Sequence, residues 1–209
     1  MHITLYGATG RTGSRILSEA LSRGHQVAAV VRDPASLAAR PGLTIVQGDA
    51  TDVDKIVTAI QGSDAVVSAL GPPPDDLHEL VVFTDNLIAA VAKNHGPRLI
   101  VVGGAGTLYV APGVTLIDSG YLPAEWLGLA KTHLEMLNHL RASDIDWTSF
   151  CPAAYFDPGE RTGKFRLGTD DLISDDKQQS RISMEDYSIA LVDELEHPQH
   201  IRGRFTIGY

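Results

Sequence analysis

The sequence predicts an α/β protein: one domain built on a doubly wound, mainly parallel sheet with helices on both faces. Three observations predict it. Apolar runs of strand length alternate with stretches of helical periodicity along the chain. A glycine-spaced turn joins the first strand to the first helix. No linker, low-complexity tract or internal repeat breaks the 209 residues, a length that fits one domain spanning 1–209.

Ile3–Tyr6 reads as a short apolar strand. Residues 12–23 follow as a helix, with Ile16, Leu17, Ala20 and Leu21 on one face, and Gly24 stops it. Gln26–Val31 is apolar almost throughout, as strands covered on both faces are. Leu43–Val46 is the third strand, and Asp52 caps a helix over 53–61. Asp64–Ser68, a long helix over 77–94, and Arg98–Val102 come next. A helix over 124–142, the strand Trp147–Phe150, a helix over 184–196 and a last strand Arg204–Gly208 complete the pattern. Segments 103–123 and 151–182 are irregular. Both leave the carboxyl end of a strand, where open α/β sheets bind ligands, so they are the expected walls of a substrate pocket.

The charge balance, 17 basic against 26 acidic residues for a net −9, argues against a nucleic-acid partner, whose phosphates it repels. No stretch approaches the roughly 18 apolar residues of a membrane span. The opening residues read as strand and turn rather than a secretory leader. The single cysteine, Cys151, allows no disulfide within the chain and no cysteine-based metal site. A cytoplasmic location, a small-molecule partner, and a monomer or homodimer are expected.

Gly7-Ala8-Thr9-Gly10-Arg11-Thr12-Gly13 has the spacing G-x-x-G-x-x-G. Gly7 permits a tight turn off the strand, Gly10 lets backbone approach a pyrophosphate, and Gly13 lets the helix pack close to the sheet. The helix N-terminus then offers free N–H groups to the phosphates. This is the context of a Rossmann dinucleotide site. An NAD-preferring site places an acid about 20 residues after the glycines. Here Arg32 ends the second strand, which predicts NADP(H) over NAD(H), because a guanidinium pairs with a 2′-phosphate. Arg11 could add a second positive charge, and Asp33 could alternatively take the acid's role. Asp49 and Ala50 are placed to flank the adenine.

GATGRTGSRI, VVRDP, GDATD, VVGGAG and CPAAYFDPGERTGKFRLG together resemble the atypical short-chain dehydrogenase/reductases. Within them, the resemblance is to the bacterial NADH-flavin reductase group, relatives of biliverdin reductase B and of NmrA-like proteins. It implies a parallel Rossmann sheet with the nicotinamide over its carboxyl edge. It also implies pyrophosphate contacts from Gly7, Thr9, Gly10, Arg11, Thr12 and Gly13, and a 2′-phosphate contact from Arg32. Asp49 and Ala50 would meet the adenine, and Ala69, Leu70 and Gly71 would line the ribose and nicotinamide.

Classical members of that superfamily carry a Tyr-x-x-x-Lys pair and a Ser or Thr at the end of the fifth strand. Here Lys131 could match the lysine, but Leu127 stands four residues earlier, and the strand ends in Gly103-Gly104-Ala105-Gly106, with Thr107 beyond. Carbonyl reduction needs a proton donor at the oxygen. A flavin or quinone delocalises the incoming charge and needs one less. The expectation is therefore an NAD(P)H-dependent reductase of a flavin or similar flat conjugated acceptor, with any flavin a substrate rather than a bound cofactor. The alternatives are a non-catalytic NADP(H) sensor of NmrA-like type and a sugar-nucleotide epimerase or dehydratase.

Tyr121 and Lys131 are the candidate catalytic side chains. Gly103, Pro152, Ala153, Tyr155 and Phe156 are the candidate substrate pocket, with Tyr155 or Phe156 able to stack on a flat ring. Gly71-Pro72-Pro73-Pro74 is a stiff rim opposite. His133 and His139, six apart on one helix, do not share a face as a metal pair and read as surface histidines. Cys151 reads as a buried structural thiol. Asp170-Asp171 and Asp175-Asp176 match no calcium loop and read as a solvated hairpin, so no metal is expected.

Overall fold

The computed structural model describes residues 1–93 and 96–209. In chain order it forms β1 (His2–Tyr6), α1 (Arg11–Ser22), β2 (Gln26–Val31), β3 (Leu43–Gln47), α2 (Val53–Ala59), β4 (Ala65–Ser68), α3 (Glu79–Lys93) and β5 (Arg98–Val102). There follow β6 (Tyr109–Ala111), β7 (Val114–Thr115), α4 (Ala124–Ala142), β8 (Trp147–Cys151), β9 (Tyr155–Asp157), β10 (Arg166–Gly168), β11 (Arg181–Ser183), α5 (Met184–Glu196) and β12 (Gly203–Gly208). Every strand and helix expected from the periodicity is present within a few residues. The helix expected over 77–94 begins two residues late, and its last expected residue, Asn94, lies outside the described residues. The segments read as irregular contain short pairings: a β6–β7 hairpin, a parallel β9–β11 pair, and β10.

The main sheet runs β10-β12-β8-β5-β4-β1-β2-β3. All neighbours are parallel except β10, which lies antiparallel on β12. Strand order therefore reverses between β1 and β4, and at that switch the two connections leave on opposite faces of the sheet and open a crevice.

Alternate residues of each strand feed two cores. One holds Ile3, Leu5, Ile16, Leu17 and Leu191 between the sheet, α1 and α5. Phe150 stacks there between Tyr187 and Phe205, with ring centroids 4.1 and 3.9 Å away. The other holds Tyr6, Val30, Ile56, Val66, Leu87, Leu137 and Trp147 against α2, α3 and α4. Both faces of the central strands are thus dry, which is why β2, β4 and β5 read as unbroken apolar runs. No helix of the described residues is long and apolar enough to cross a membrane.

Candidate functional site

The crevice is built by the glycine turn. Gly7 takes φ +81°, a conformation that disfavours any side chain. A Cβ on it would lie 2.4 Å from the carbonyl oxygen of Ala69. That contact brings the ends of β1 and β4 together at the switch point, with Ala69 N–H donating to Tyr6 C=O at 3.0 Å. Gly10 N–H donates to Gly7 C=O at 2.9 Å and closes the turn. A Cβ on Gly13 would stand 2.0 Å from the Gly7 carbonyl oxygen. The close approach expected between Gly13 and the sheet is therefore made to the turn's own backbone instead.

Helix α1 opens at Gly10 with no side-chain cap and no acid in its first turn. By contrast, α2 and α5 are capped by Asp52 and Ser183 and carry acids there. The amides of Arg11, Thr12 and Gly13 have no acceptor within the helix, and the helix dipole adds partial positive charge. These residues fit the pyrophosphate of a dinucleotide. Thr9, Gly10 and Arg11 are exposed at the lip, and Thr12 is half-buried.

The flanking residues divide. Arg32 is exposed at the carboxyl end of β2 and makes no ion pair among the described residues. One carboxylate oxygen of the exposed Asp33 accepts from Ala35 N–H at 3.0 Å and caps a short 3₁₀ turn. Arg11 is not free either, because it pairs with Asp157 at 2.7 Å across the crevice. Asp49 is half-buried, and hydrogen bonds from Thr51 hold its carboxyl below the usual range. Ala50 is buried, and its carbonyl accepts from the Asn86 amide at 2.9 Å. Ala69 and Leu70 are half-buried, and Gly71 is exposed. Beside this groove a cavity of about 560 Å³ lies between β3 and α2. Its floor is the in-register row Tyr6, Val30 and Val46, and it shares only Asp49 with the dinucleotide residues.

The substrate side corrects several expectations. Pro152 and Ala153 are buried in the core rather than forming a rim. Strand alternation on β9 splits Tyr155 from Phe156: Phe156 turns inward, 4.8 Å from the Tyr187 ring, and Tyr155 is 69% exposed. Of the two, Tyr155 is the one free to stack on a ligand. Lys131 is exposed on the face of α4 opposite Ala130, Leu137 and Leu140, which are buried against the sheet side. Tyr121 is 80% exposed in the loop before α4. Thr107 is buried, and its hydroxyl donates to Gly104 C=O at 2.9 Å, so it does not replace the missing serine.

The glycines after β5 explain that absence. A Cβ on Gly103 would fall 2.7 Å from Ser149 Oγ and 2.8 Å from Cys151 Sγ. One on Gly104 would fall 2.8 Å from Cβ and Cγ of His133, and one on Gly106 2.7 Å from Ala130 Cβ. Helix α4 is thus seated directly on the strand end, and His133 occupies the space that a side chain at 104 would take. His133 is half-buried rather than a surface residue: its Nδ1 is enclosed without a hydrogen-bond partner, and burial pushes its pKa down to about 4. The sequence does carry a signal: Ala130, His133 and Leu137 share one helical face. His139 is a surface histidine as expected, paired with Asp85 at 2.7 Å.

Cys151 is fully buried, and burial pushes its thiol pKa up, as suits a structural cysteine. Asp170 pairs with the buried Arg204, and Asp175 accepts from Lys177 and Gln179 N–H in a tight turn. No cluster of three or more metal-ligating side chains occurs among the described residues.

Residues 7–198 match the model of a family described as NAD(P)H-binding. The chain is 42% identical to the Bacillus subtilis protein YwnB over 211 residues, covering 99% of this chain and 98% of that one. Among solved structures it resembles a "putative epimerase" of Bacteroides thetaiotaomicron, with 44% identity, TM-score 0.93, and 100% and 96% of the two chains covered. It also resembles a "putative NADH-flavin reductase" of Streptococcus pneumoniae, with 34% identity, TM-score 0.91, and 100% and 99% covered. A short-chain dehydrogenase/reductase of Veillonella parvula in complex with NADP shares the fold at 17% identity and TM-score 0.77.

Proposed function

The chain belongs to the NAD(P)H-binding family, of the atypical short-chain dehydrogenase/reductase kind, and from that premise we propose that it is an NAD(P)H-dependent reductase of flavin or a similarly flat conjugated acceptor, with NADP(H) the preferred cofactor. One observation carries the reading. A glycine turn that fits a dinucleotide pyrophosphate stands beside a strand end whose own residues 103, 104 and 106 are glycines with no room for a side chain, and so carry no hydroxyl.

The bound nicotinamide would supply hydride. The uncapped α1 amides and the backbone around Gly10 would hold the pyrophosphate, Arg32 the 2′-phosphate, and Asp49 the adenine side. Tyr155 offers a face for a planar ring. With leucine rather than tyrosine four residues before Lys131, the chain's own contribution is orientation and exclusion of side reactions. That suits an acceptor whose ring spreads the charge and takes its proton from water. The name carried by the Streptococcus pneumoniae relative agrees with this chemistry.

The test is to mix the protein with NADPH and FMN, riboflavin, FAD or a quinone and follow the absorbance of the reduced nicotinamide. Oxidation that depends on both protein and acceptor supports the reading. Tight NADP(H) binding with no turnover by any of them refutes it and leaves a sensor.

A further inference from the structure

Three enclosed polar side-chain atoms lack a hydrogen-bond partner among the described residues: Tyr6 Oη, His133 Nδ1 and Thr206 Oγ1. Tyr6 belongs to the core on the α2 side, and Thr206 pairs in register with Cys151 inside the sheet. His133 alone stands at the carboxyl end of β5, where the proposed chemistry would occur. A buried polar group left unpaired is destabilising, so its persistence there is notable. The other polar groups at this strand end are engaged. Thr107 donates to Gly104, and Arg204 is committed to Asp170 and to the Thr107 carbonyl.

The orientation of the ring gives it a use. Cβ, Cγ and Cδ2 of His133 pack against Gly104, 2.8–3.0 Å from where a Cβ would be, and the residue is half-buried; Nε2, neither enclosed nor hydrogen-bonded among the described residues, is the ring nitrogen left accessible there. Nδ1 is on the other edge, inside the protein and with nothing to accept a proton from it. A neutral imidazole carries one proton. Placing it on Nε2 avoids burying an orphan donor and leaves the N–H on the accessible nitrogen of a ring that packs beside the strand end. Gly104 is what permits this: any side chain there would push the ring away.

We propose that His133, through Nε2–H, is the hydrogen-bond donor that holds a carbonyl or ring-nitrogen edge of the flat acceptor above the end of β5. This rests on the reductase reading. It assigns His133 a binding role, with no proton leaving the ring. It also accounts for a histidine where the superfamily's hydroxyl donors are absent.

The experiment measures flavin affinity by quenching of FMN fluorescence in the presence of saturating NADP+, for the wild type, His133→Phe and His133→Gln. Urea unfolding and NADP+ titration are run on each. His133→Phe keeps a ring and removes both nitrogens. It should bind FMN roughly three- to tenfold more weakly, the span of one lost neutral hydrogen bond. NADP+ affinity should be unchanged, and stability equal or higher because an orphan is gone. His133→Gln should recover part of the FMN affinity. With ring-labelled histidine, the Nε2 resonance of His133 should shift when FMN is added. Unaltered FMN affinity in His133→Phe, or an Nε2 resonance that ignores FMN, overturns the proposal. So does unfolding of His133→Phe with unaltered FMN affinity in His133→Gln, which marks a structural residue. A wild type that neither binds nor reduces flavins or quinones refutes the reductase reading itself, a result distinct from these.

Discussion

Replacing Gly13 by alanine sets two effects against each other. Helix propensity favours the change by about 0.8–1 kcal/mol in a helix interior. The structure opposes it. The new Cβ would sit 2.0 Å from Gly7 O, 2.7 Å from Gly7 C and 3.2 Å from Ala8 N. All three are backbone atoms of a turn fixed on its far side by Ala69, so no side chain can swing aside. Restoring ordinary contact near ~3.5 Å requires the turn and helix to part by about 1.5 Å. Overpacking of this kind costs about 1–3 kcal/mol, so net stability should fall by about 0–2 kcal/mol. The larger effect is on the anion site, because the displaced amides are the ones offered to the pyrophosphate. Losing one charge-assisted bond, about 1.5–3 kcal/mol, weakens NADP(H) binding roughly tenfold to a hundredfold. Calorimetric titration with NADP+ and urea unfolding measure the two arms. Gly24→Ala is the control: it has φ +81° with no heavy atom within 4 Å of the new Cβ. It should lose about 1 kcal/mol to backbone strain and leave NADP+ affinity alone. A Gly13→Ala protein that is more stable and binds NADP+ normally would refute the turn's assigned role.

Arg32→Glu should weaken NADP+ roughly tenfold to a hundredfold while sparing NAD+, as one charge-assisted contact to phosphate implies; equal losses for both would remove Arg32 as the phosphate reader. Asp157→Asn frees Arg11 and withdraws a negative charge from the anion site, so NADP+ affinity should rise by a small factor that fades with salt, because the pair is exposed on both sides; isothermal titration at two ionic strengths checks it. Glu194, 4% exposed and bonded to Arg98, His200 and the Gln199 amide, has its carboxyl pKa lowered, with hydrogen bonds to the charged form outweighing burial, itself the largest influence and opposite in sign. A depressed carboxyl stabilises the fold above its unfolded pKa and loses that contribution as pH falls through the folded value, so thermal unfolding should show acid destabilisation below about pH 4.3. Glu194→Ala should cost roughly 3–5 kcal/mol by stranding the Arg98 charge, and should flatten that acid limb.

Much of the fold was legible because its signals are local. Apolar strands, helical faces and one glycine-spaced turn each declare themselves within a dozen residues, and a sheet covered on both faces leaves little choice of topology. The glycine turn was legible for the same reason, since Gly7, Gly10 and Gly13 act within one loop. The short strands β6, β7, β9, β10 and β11 were not. Each has two or three residues, too few for a period to register, and the residues that pair β9 with β11 are 26 positions apart.

The acceptor side was misread because its residues act across the chain rather than along it. Gly104 looks like loop punctuation until His133, twenty-nine positions later, is found filling the space its side chain would need. Spacing drew attention to Lys131 on the exposed face of α4, whereas Ala130, Leu137 and Leu140 are buried on the face that packs inward, and His133 lies on that face. The rim expected from Pro152-Ala153 collapsed into the core for a related reason. The strand-end carbonyl of Phe150 takes the Tyr187 hydroxyl at 2.7 Å, and that contact draws the following residues inward. A glycine forced by a distant side chain and a histidine deprived of partners are two sides of one packing decision, and it falls at the strand end where a family otherwise supplied with hydroxyl donors would place its chemistry.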